Sequence, residues 1–134
     1  MNIIRKSNQK NLEFRKSMEL KVNGGSNTTV LSDAAVRSLN LMGNQSVTVG
    51  TDNGKVYLVK LEDNTGFTVK DNYINTNQFS IELLDTVSHT PRNNNFLFSL
   101  GEQVMINGMA CWLLTLKDIT PLMVRKPSTA NIEL

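Results

Sequence analysis

The chain has 134 residues, and its 14 basic and 12 acidic side chains leave a formal net charge of only +2 at pH 7. This length fits one domain whose core needs neither disulfides nor a metal. The near balance of charge excludes a protein that coats polyanions over its whole surface. The single cysteine, Cys111, excludes an internal disulfide, and the single histidine, His89, excludes a zinc site built on several histidines. We therefore expect no cofactor and no bound metal.

The sequence also lacks the signals of membrane insertion and secretion. No apolar run approaches the roughly 20 residues of a membrane-spanning helix. The N-terminal segment MNIIRKSNQK places charges directly after two isoleucines, which is not the pattern of a secretory signal peptide. We expect a protein that is neither secreted through a signal peptide nor placed in a membrane.

The N-terminal part of the chain predicts an arm followed by a strand. Residues 1–10 are polar and basic after their apolar start, and we interpret them as a basic N-terminal arm. From Leu12 to Val22 apolar and polar side chains alternate, and Lys16 is the exception on the apolar side. A period of two is typical of a half-buried strand, whereas a helix would scatter these apolar side chains around its circumference.

A short strand and a short helix are predicted next. A turn separates the first strand from a β-branched strand at Thr28–Leu31. A helix near residues 32–40 follows, because the side-chain oxygen of Ser32 or Asp33 is a suitable N-cap for it. Gly43 is the predicted left-handed stop after this helix.

Two Asn-Gly pairs predict β-hairpins, because a tight type I′ turn requires positive φ at both central residues. Asn53-Gly54 lies between the strand-like runs Gln45–Gly50 and Lys55–Leu61, and Asn107-Gly108 lies between Gln103–Ile106 and Met109–Leu116. The last of these runs is apolar at nearly every position. This pattern predicts a central strand that is buried on both faces.

The rest of the chain predicts further strands separated by loops. The strands are Phe67–Val69, Phe79–Leu83, in which Phe, Ile and Leu alternate with Ser and Glu, and Phe96–Leu100. Residues 70–78 and 88–95 are the predicted loops. After Asp118 the alternation ends, and residues 119–134, which contain two of the prolines, predict an extended C-terminal tail.

Together these elements predict a mainly β domain. We expect antiparallel hairpins that form a small barrel or sandwich, one short helix near residues 32–40, and extended arms at both ends. The β-rich domain would comprise residues 11–118, between the basic arm at 1–10 and the tail at 119–134.

Two stretches of this domain are similar to each other. Gly43–Asp63 and Gly101–Asp118 both contain a glutamine, a strand, an Asn-Gly pair and an apolar strand, in that order. The domain then consists either of two similar hairpin units, 11–63 and 79–118, that arose by duplication, or of two unrelated hairpins closed by the same turn. The sequence leaves both alternatives open.

Residues 18–61 resemble the swapped-hairpin element of AbrB/MazE-like proteins. That family has the order strand, glycine turn, strand, short helix, strand, acidic-glycine turn and strand, which is matched here by MELKV, NGGSN, TTVLS, DAAVRSLNL, MGNQSVTVG and TDNGKVYLVKL. Members of the family are commonly dimers that bind DNA through basic residues near the first hairpin. The resemblance implies a dimeric DNA-binding transcriptional regulator, with Lys21 and Arg37 as the basic residues at and near that hairpin.

The candidate catalytic side chains do not indicate an enzyme. His89 is the only histidine available as a general base, and Ser88 and Asp85 are close in sequence, but neighbouring side chains in a loop diverge. We interpret His89 as a solvated loop residue. Cys111 lies in an apolar run, whereas a reactive thiolate needs an exposed, electropositive setting. We expect a buried, inert cysteine and no enzymatic activity.

Basic residues are concentrated in the N-terminal part, where only Glu13 and Glu19 oppose them. This concentration of positive charge is suited to bind nucleic acid or an acidic protein surface. The other interpretation is an arm that is simply solvated, and the sequence leaves these alternatives open. If nucleic acid is the partner, the expected contacts are Lys10, Arg15, Lys16, Lys21 and Arg37.

A compact β domain between two arms is a plan found in assembly proteins, because such arms gain order by lying along a neighbouring subunit. Our leading hypothesis is a structural protein in a homo- or hetero-oligomeric assembly, specifically a phage capsid or tail accessory component, located in the virion or the host cytoplasm. The expected partner contacts are Ile3, Ile4, Arg5, Lys6, Ile119, Leu122, Val124 and Ile132. The alternative is the AbrB-like regulator.

Overall fold

The computed structural model describes residues 16–89 and 94–122. Eight antiparallel strands form one sheet with the order β3-β4-β8-β7-β1-β2-β6-β5, and this sheet curls into half a barrel. The strands are β1 (Glu19–Asn23), β2 (Thr28–Leu31), β3 (Ser46–Asp52), β4 (Lys55–Leu61), β5 (Val69–Lys70), β6 (Tyr73–Ile74), β7 (Asn94–Ile106) and β8 (Met109–Pro121). The prediction of a mainly β, antiparallel fold is confirmed.

Helix α1 (Asp33–Leu39) is the helix that the sequence predicts. Ser32 is its N-cap, because Ser32 Oγ accepts a hydrogen bond from the backbone N–H of Ala35 at 3.2 Å. The helix ends at Asn40, which has a φ of 46°. Asparagine tolerates this left-handed conformation, so the prediction of Gly43 as the stop is wrong.

Helix α2 (Asn77–Thr86) replaces the strand predicted at Phe79–Leu83, and that prediction is wrong. Its buried side chains recur at helical spacing and are Phe79, Ser80, Leu83 and Leu84. Ile81, which the alternating pattern placed with the apolar face, is 47% exposed. The expected single helix therefore becomes two helices in the part of the chain that the structure describes.

The core lies between the sheet and the two helices. Ala35 and Leu39 of α1 and Phe79 and Leu83 of α2 belong to one buried cluster with strand residues such as Trp112. Each fully buried leucine or phenylalanine side chain of this cluster stabilises the fold by about 1.5–3 kcal/mol relative to exposure. We call the face of the sheet that contacts this cluster the inner face and the opposite face the outer face.

Two side-chain hydrogen bonds hold the helices to the sheet. The indole N–H of Trp112 donates to Ser38 Oγ of α1 at 3.2 Å. The hydroxyls of Thr29 on β2 and Ser80 on α2 are fully buried and are 2.5 Å apart, within hydrogen-bond distance. Each bond satisfies a polar group that would otherwise be costly to bury.

Both predicted Asn-Gly hairpins are confirmed. Asn53 and Gly54 have φ angles of 52° and 76°, and Asn107 and Gly108 have φ angles of 51° and 78°. The two hairpins lie side by side, because β4 pairs with β8. The pairing is compatible with both alternatives for their origin, a duplication or two unrelated hairpins with the same turn.

The first strand is shorter in the structure than the alternating pattern predicts. β1 begins at Glu19, and Lys16 and Ser17 precede it. The remainder of the predicted strand and the arm at 1–10 lie outside the described residues.

The last strand is longer than predicted. Ile119 pairs with Phe96 and Thr120 with Asn95, so β8 continues to Pro121 and the predicted tail begins within the sheet. The rest of that tail, from residue 123 onward, lies outside the described residues. The short strands β5 and β6 also differ from prediction, since β6 lies inside the expected loop at 70–78.

Candidate protein-interaction surface

His89 packs against the sheet rather than projecting into solvent as we expected. Its ring contacts the ring of Phe96, with 5.7 Å between the centroids, and its backbone N–H donates to the carbonyl oxygen of Leu84 at 2.9 Å. Within the described residues, no hydrogen bond joins the imidazole to Ser88 or Asp85. The structure therefore does not bring these three side chains into a catalytic arrangement.

Cys111 is buried, as the sequence predicts, with 2% of its surface exposed. Burial raises the pKa of its thiol above the ordinary value, because a thiolate is poorly solvated in apolar surroundings. The thiol also contacts the carbonyl oxygen of Met109 at 3.5 Å. This setting favours the protonated, unreactive form.

The carboxylate of Asp63 stabilises a turn. Asp63 accepts hydrogen bonds from the backbone N–H of Thr65 at 3.0 Å and from its hydroxyl at 2.5 Å, and these bonds hold the Asp63 pKa below its usual value. Among residues 16–89 and 94–122, no three potential metal ligands lie together. The helices of the same ranges are also too short to cross a membrane.

Most of the predicted arm contacts lie outside the described residues, namely Ile3, Ile4, Arg5, Lys6, Val124 and Ile132. Ile119 lies in β8 and is 40% exposed. Leu122 lies at the β1–β2 turn, where its Cδ1 would be 3.0 Å from a Cβ built on Gly25. The described start of the tail therefore packs on its own domain.

The predicted nucleic-acid contacts do not form one basic surface in the described chain. Lys10 and Arg15 lie outside the described residues. Lys21 lies on the outer face of β1, whereas Arg37 is exposed on α1, which packs on the inner face. Lys16 is exposed ahead of β1.

A groove of about 490 Å³ lies on the outer face over the central strands. The strand register places two rows of side chains along it: Asp118, Leu97, Lys21, Val30 and Tyr73, and Thr120, Asn95, Asn23 and Thr28. We call these rows the outer polar face. Asn95 Oδ1 is buried there and has no hydrogen-bond partner among the described residues.

The outer face changes character at the other end of the sheet. Its apolar residues over β4, β8 and the distal part of β7 include Tyr57, Val59, Val104, Ile106, Met109, Cys111 and Leu113, which we call the outer apolar face. Lys55 of β4 lies on the same face, opposite Asp52 of β3. Val59, Cys111 and Val104 share one cross-strand row. None of the members belongs to the inner core cluster.

Burial within this outer apolar face decreases from its centre to its rim. Val59 and Cys111 are only 6% and 2% exposed, whereas Val104 is 44% exposed. Tyr57, Met109 and Leu113 are half-buried. Gly50 of β3 makes room for this packing, because a Cβ at that position would lie 3.0 Å from Val59 Cγ2.

The sequence contained one signal for this surface. The run Met109–Leu116 is apolar on both faces, which predicts a strand covered on both sides. The structure shows that this strand, β8, lies between β4 and β7, and that the described helices cover the inner face of the sheet. Sequence reasoning missed the surface as a whole because periodicity does not identify the neighbours of a strand.

Comparison of the chain with models of protein families, with curated proteins and with solved structures gave no match.

Proposed function

We propose that the protein is a non-enzymatic structural component of a homo- or hetero-oligomeric assembly. The rim of the outer apolar face carries this proposal, because Val104 is 44% exposed and Ile106 and Met109 are half-buried. Contiguous apolar side chains on a sheet surface are typical of protein interfaces, because they lose unfavourable contact with water when a partner covers them. The two described helices lie against the inner face, so neither of them covers this outer surface.

The more specific proposal is an accessory component of a phage capsid or tail, located in the virion or in the host cytoplasm. Its support is the plan of the chain, in which a β domain lies between a basic N-terminal segment and a C-terminal segment with prolines. A segment that contains proline loses less entropy when it docks, because proline already restricts the backbone.

The proposal is tested by the mass of the native complex. In an extract of the cells that encode the chain, the full-length protein should sediment with particles much heavier than its own 15.0 kDa. Recovery of the whole population as a free monomer from intact particles and extracts would contradict an assembly role.

A salt titration of DNA binding separates this proposal from the AbrB-like regulator. A regulator would bind DNA with clear sequence preference at about 0.15 M salt. An assembly protein would show negligible binding, or weak binding that is lost with modest salt, because such binding depends on released counterions. Tight, sequence-selective DNA binding would therefore contradict our proposal and support the AbrB-like regulator.

A further inference from the structure

We infer that the edge of β7 at residues 101–106 binds an extended segment of a partner protein, which pairs with β7 as an added strand. The inference rests on the proposed assembly function and specifies how the partner binds. Its evidence is the open backbone groups of this edge, the exposure of its apolar side chains, and the contrast with another open edge of the same sheet.

The open edge of β7 begins where β1 stops. β1 pairs with β7 as far as Ser99, and the N–H of Leu100 donates to the carbonyl oxygen of Met18 at 2.9 Å. The backbone of Lys16 is helical, so the chain has left the ladder at that residue. In residues 101–106, β7 pairs only with β8 among the described strands. No described strand therefore occupies the other side of β7 there.

Backbone groups point to this open side at every second residue. A two-residue turn closes the β7–β8 hairpin, and its hydrogen bond makes Ile106 and Met109 a bonded pair. Bonded pairs alternate along an antiparallel ladder, so Gln103 and Met105 direct their N–H and C=O groups away from β8. An added strand satisfies these groups in the way that they are satisfied inside a sheet.

The apolar side chains of this edge are exposed on both faces of the strand. Val104 and Met105 are consecutive, so they point to opposite faces, and they are 44% and 62% exposed. Exposed apolar side chains on an open strand edge are a template for pairing with another chain. An added strand covers side chains on both faces at once, whereas a partner that lies on one face covers only one of the two.

Another open edge of the same sheet has features that prevent pairing. β8 has no described neighbour on its other side at residues 115–121. The register shift there makes Lys117 an extra, bulged residue, and Pro121 ends the strand. Lysines, bulges and prolines are the usual protection of open edges. The β7 edge has no lysine, proline or register shift in residues 103–106, so it lacks this protection.

The side chains of the edge specify the partner segment. Glu102 is the only charged residue among 101–106 and is exposed, so a lysine or arginine in the partner suits the position beside it. Val104 and Met105 favour apolar side chains at the cross-strand positions. The segment has no proline, because proline provides no N–H for the ladder. A single short strand binds weakly alone, and repeated copies in an assembly strengthen it.

The test is a nuclear magnetic resonance titration of the full-length chain with a synthetic peptide. The peptide alternates valine and threonine and contains one arginine, and its two controls replace the arginine by glutamate or a central valine by proline. We expect the arginine peptide to bind at concentrations below about 1 mM and to slow hydrogen exchange at the amides of Gln103 and Met105. The control peptides should bind more weakly by about tenfold.

Variants at Met105 test whether the binding is strand pairing. Met105→Pro removes an N–H that faces the open side and none that bonds to β8, so the hairpin keeps its ladder. Met105→Lys places a charge at the same exposed position and keeps the test valid if the proline disturbs the fold, which circular dichroism checks. Both changes should weaken binding of the arginine peptide by about tenfold. Thr115→Lys is the matched control on the protected edge of β8, where Thr115 is also exposed, and should bind like the wild type.

The other outcomes decide against the inference. No binding by the wild type, or binding that both Met105 variants leave unchanged, would overturn it. Amides of Gln103 and Met105 that are already protected in the free protein would also overturn it, because a segment of the chain itself would then occupy the edge. Heavy particles that still incorporate both Met105 variants would overturn this inference while leaving the proposed function intact.

Discussion

Cys111 and Trp112 are consecutive residues of β8 that are both buried, 2% and 1% exposed, on opposite faces of the sheet. Trp112 belongs to the core that α1 and α2 cover, whereas Cys111 lies beside Val59 in the outer apolar face. The strand therefore has apolar surroundings on both sides, as is typical of a strand in the middle of a layered structure. The described helices cover the inner side, and the proposed partner covers the rim of the outer apolar face.

The Cys111 thiol makes stability depend on pH in the alkaline range. Its folded pKa is raised, so the stabilisation is complete below the unfolded value of about 8.5 and is lost as pH rises through the folded pKa. We expect the wild type to lose stability relative to Cys111→Ala as pH rises from about 8.5 towards the folded pKa. Urea unfolding of both proteins measures this difference. A difference that does not change with pH would contradict the assignment.

Ser32 connects the first strand to helix α1 through two hydrogen bonds. Its Oγ accepts from the backbone N–H of Ala35 at 3.2 Å and from that of Glu19 at 3.0 Å. Ser32→Ala removes both acceptors in a fully buried place, so we expect the free energy of unfolding to fall by about 2–3 kcal/mol. Ser26→Ala, in an exposed turn, is the control and should cost less than about 0.5 kcal/mol. Equal effects of the two changes on urea midpoints would show that the cap is unimportant.

The hairpin glycines should be more sensitive to substitution than the glycine after α1. Gly54 and Gly108 have φ angles of 76° and 78°, which a side chain disfavours, whereas Gly43 has open space around it and no positive φ. Gly54→Ala and Gly108→Ala should each lower the free energy of unfolding by about 1 kcal/mol. Gly43→Ala should be near neutral. Thermal unfolding of the three variants tests this order, and a larger loss for Gly43→Ala would contradict it.

Local chemistry explains which elements the sequence predicted well. The Asn-Gly turns and the Ser32 cap depend on residues within a few positions of each other, so the sequence contains the whole signal. The prediction of a strand at Phe79–Leu83 was wrong because five residues are too few to separate the two patterns. Side chains at positions i and i+4 share a face both in an alternating strand and in a helix. The buried Leu84 extends the helical pattern and breaks the alternating one.

The order of the strands was beyond sequence reasoning. β1 pairs with β7, and β4 pairs with β8, across long stretches of chain. Hydrophobic periodicity fixes which side chains share a face of one strand, but not which strand lies beside it. The outer apolar face was therefore foreseeable only as the two-sided apolar run Met109–Leu116, and its members on β4 and β7 became evident from the pairing.

Oxidation of methionine in the free and in the assembled protein is the most direct test of the central claim that a partner in an assembly covers the rim of the outer apolar face. Met109 is half-buried in that face, while Met42 is 64% exposed and lies outside it, so Met42 is an internal reference. Peroxide oxidation followed by mass spectrometry gives both rates in one sample. We predict that the rate at Met109 falls relative to that at Met42 when the protein is recovered in its native assembly. A ratio that is the same in the free and in the assembled protein would contradict the account.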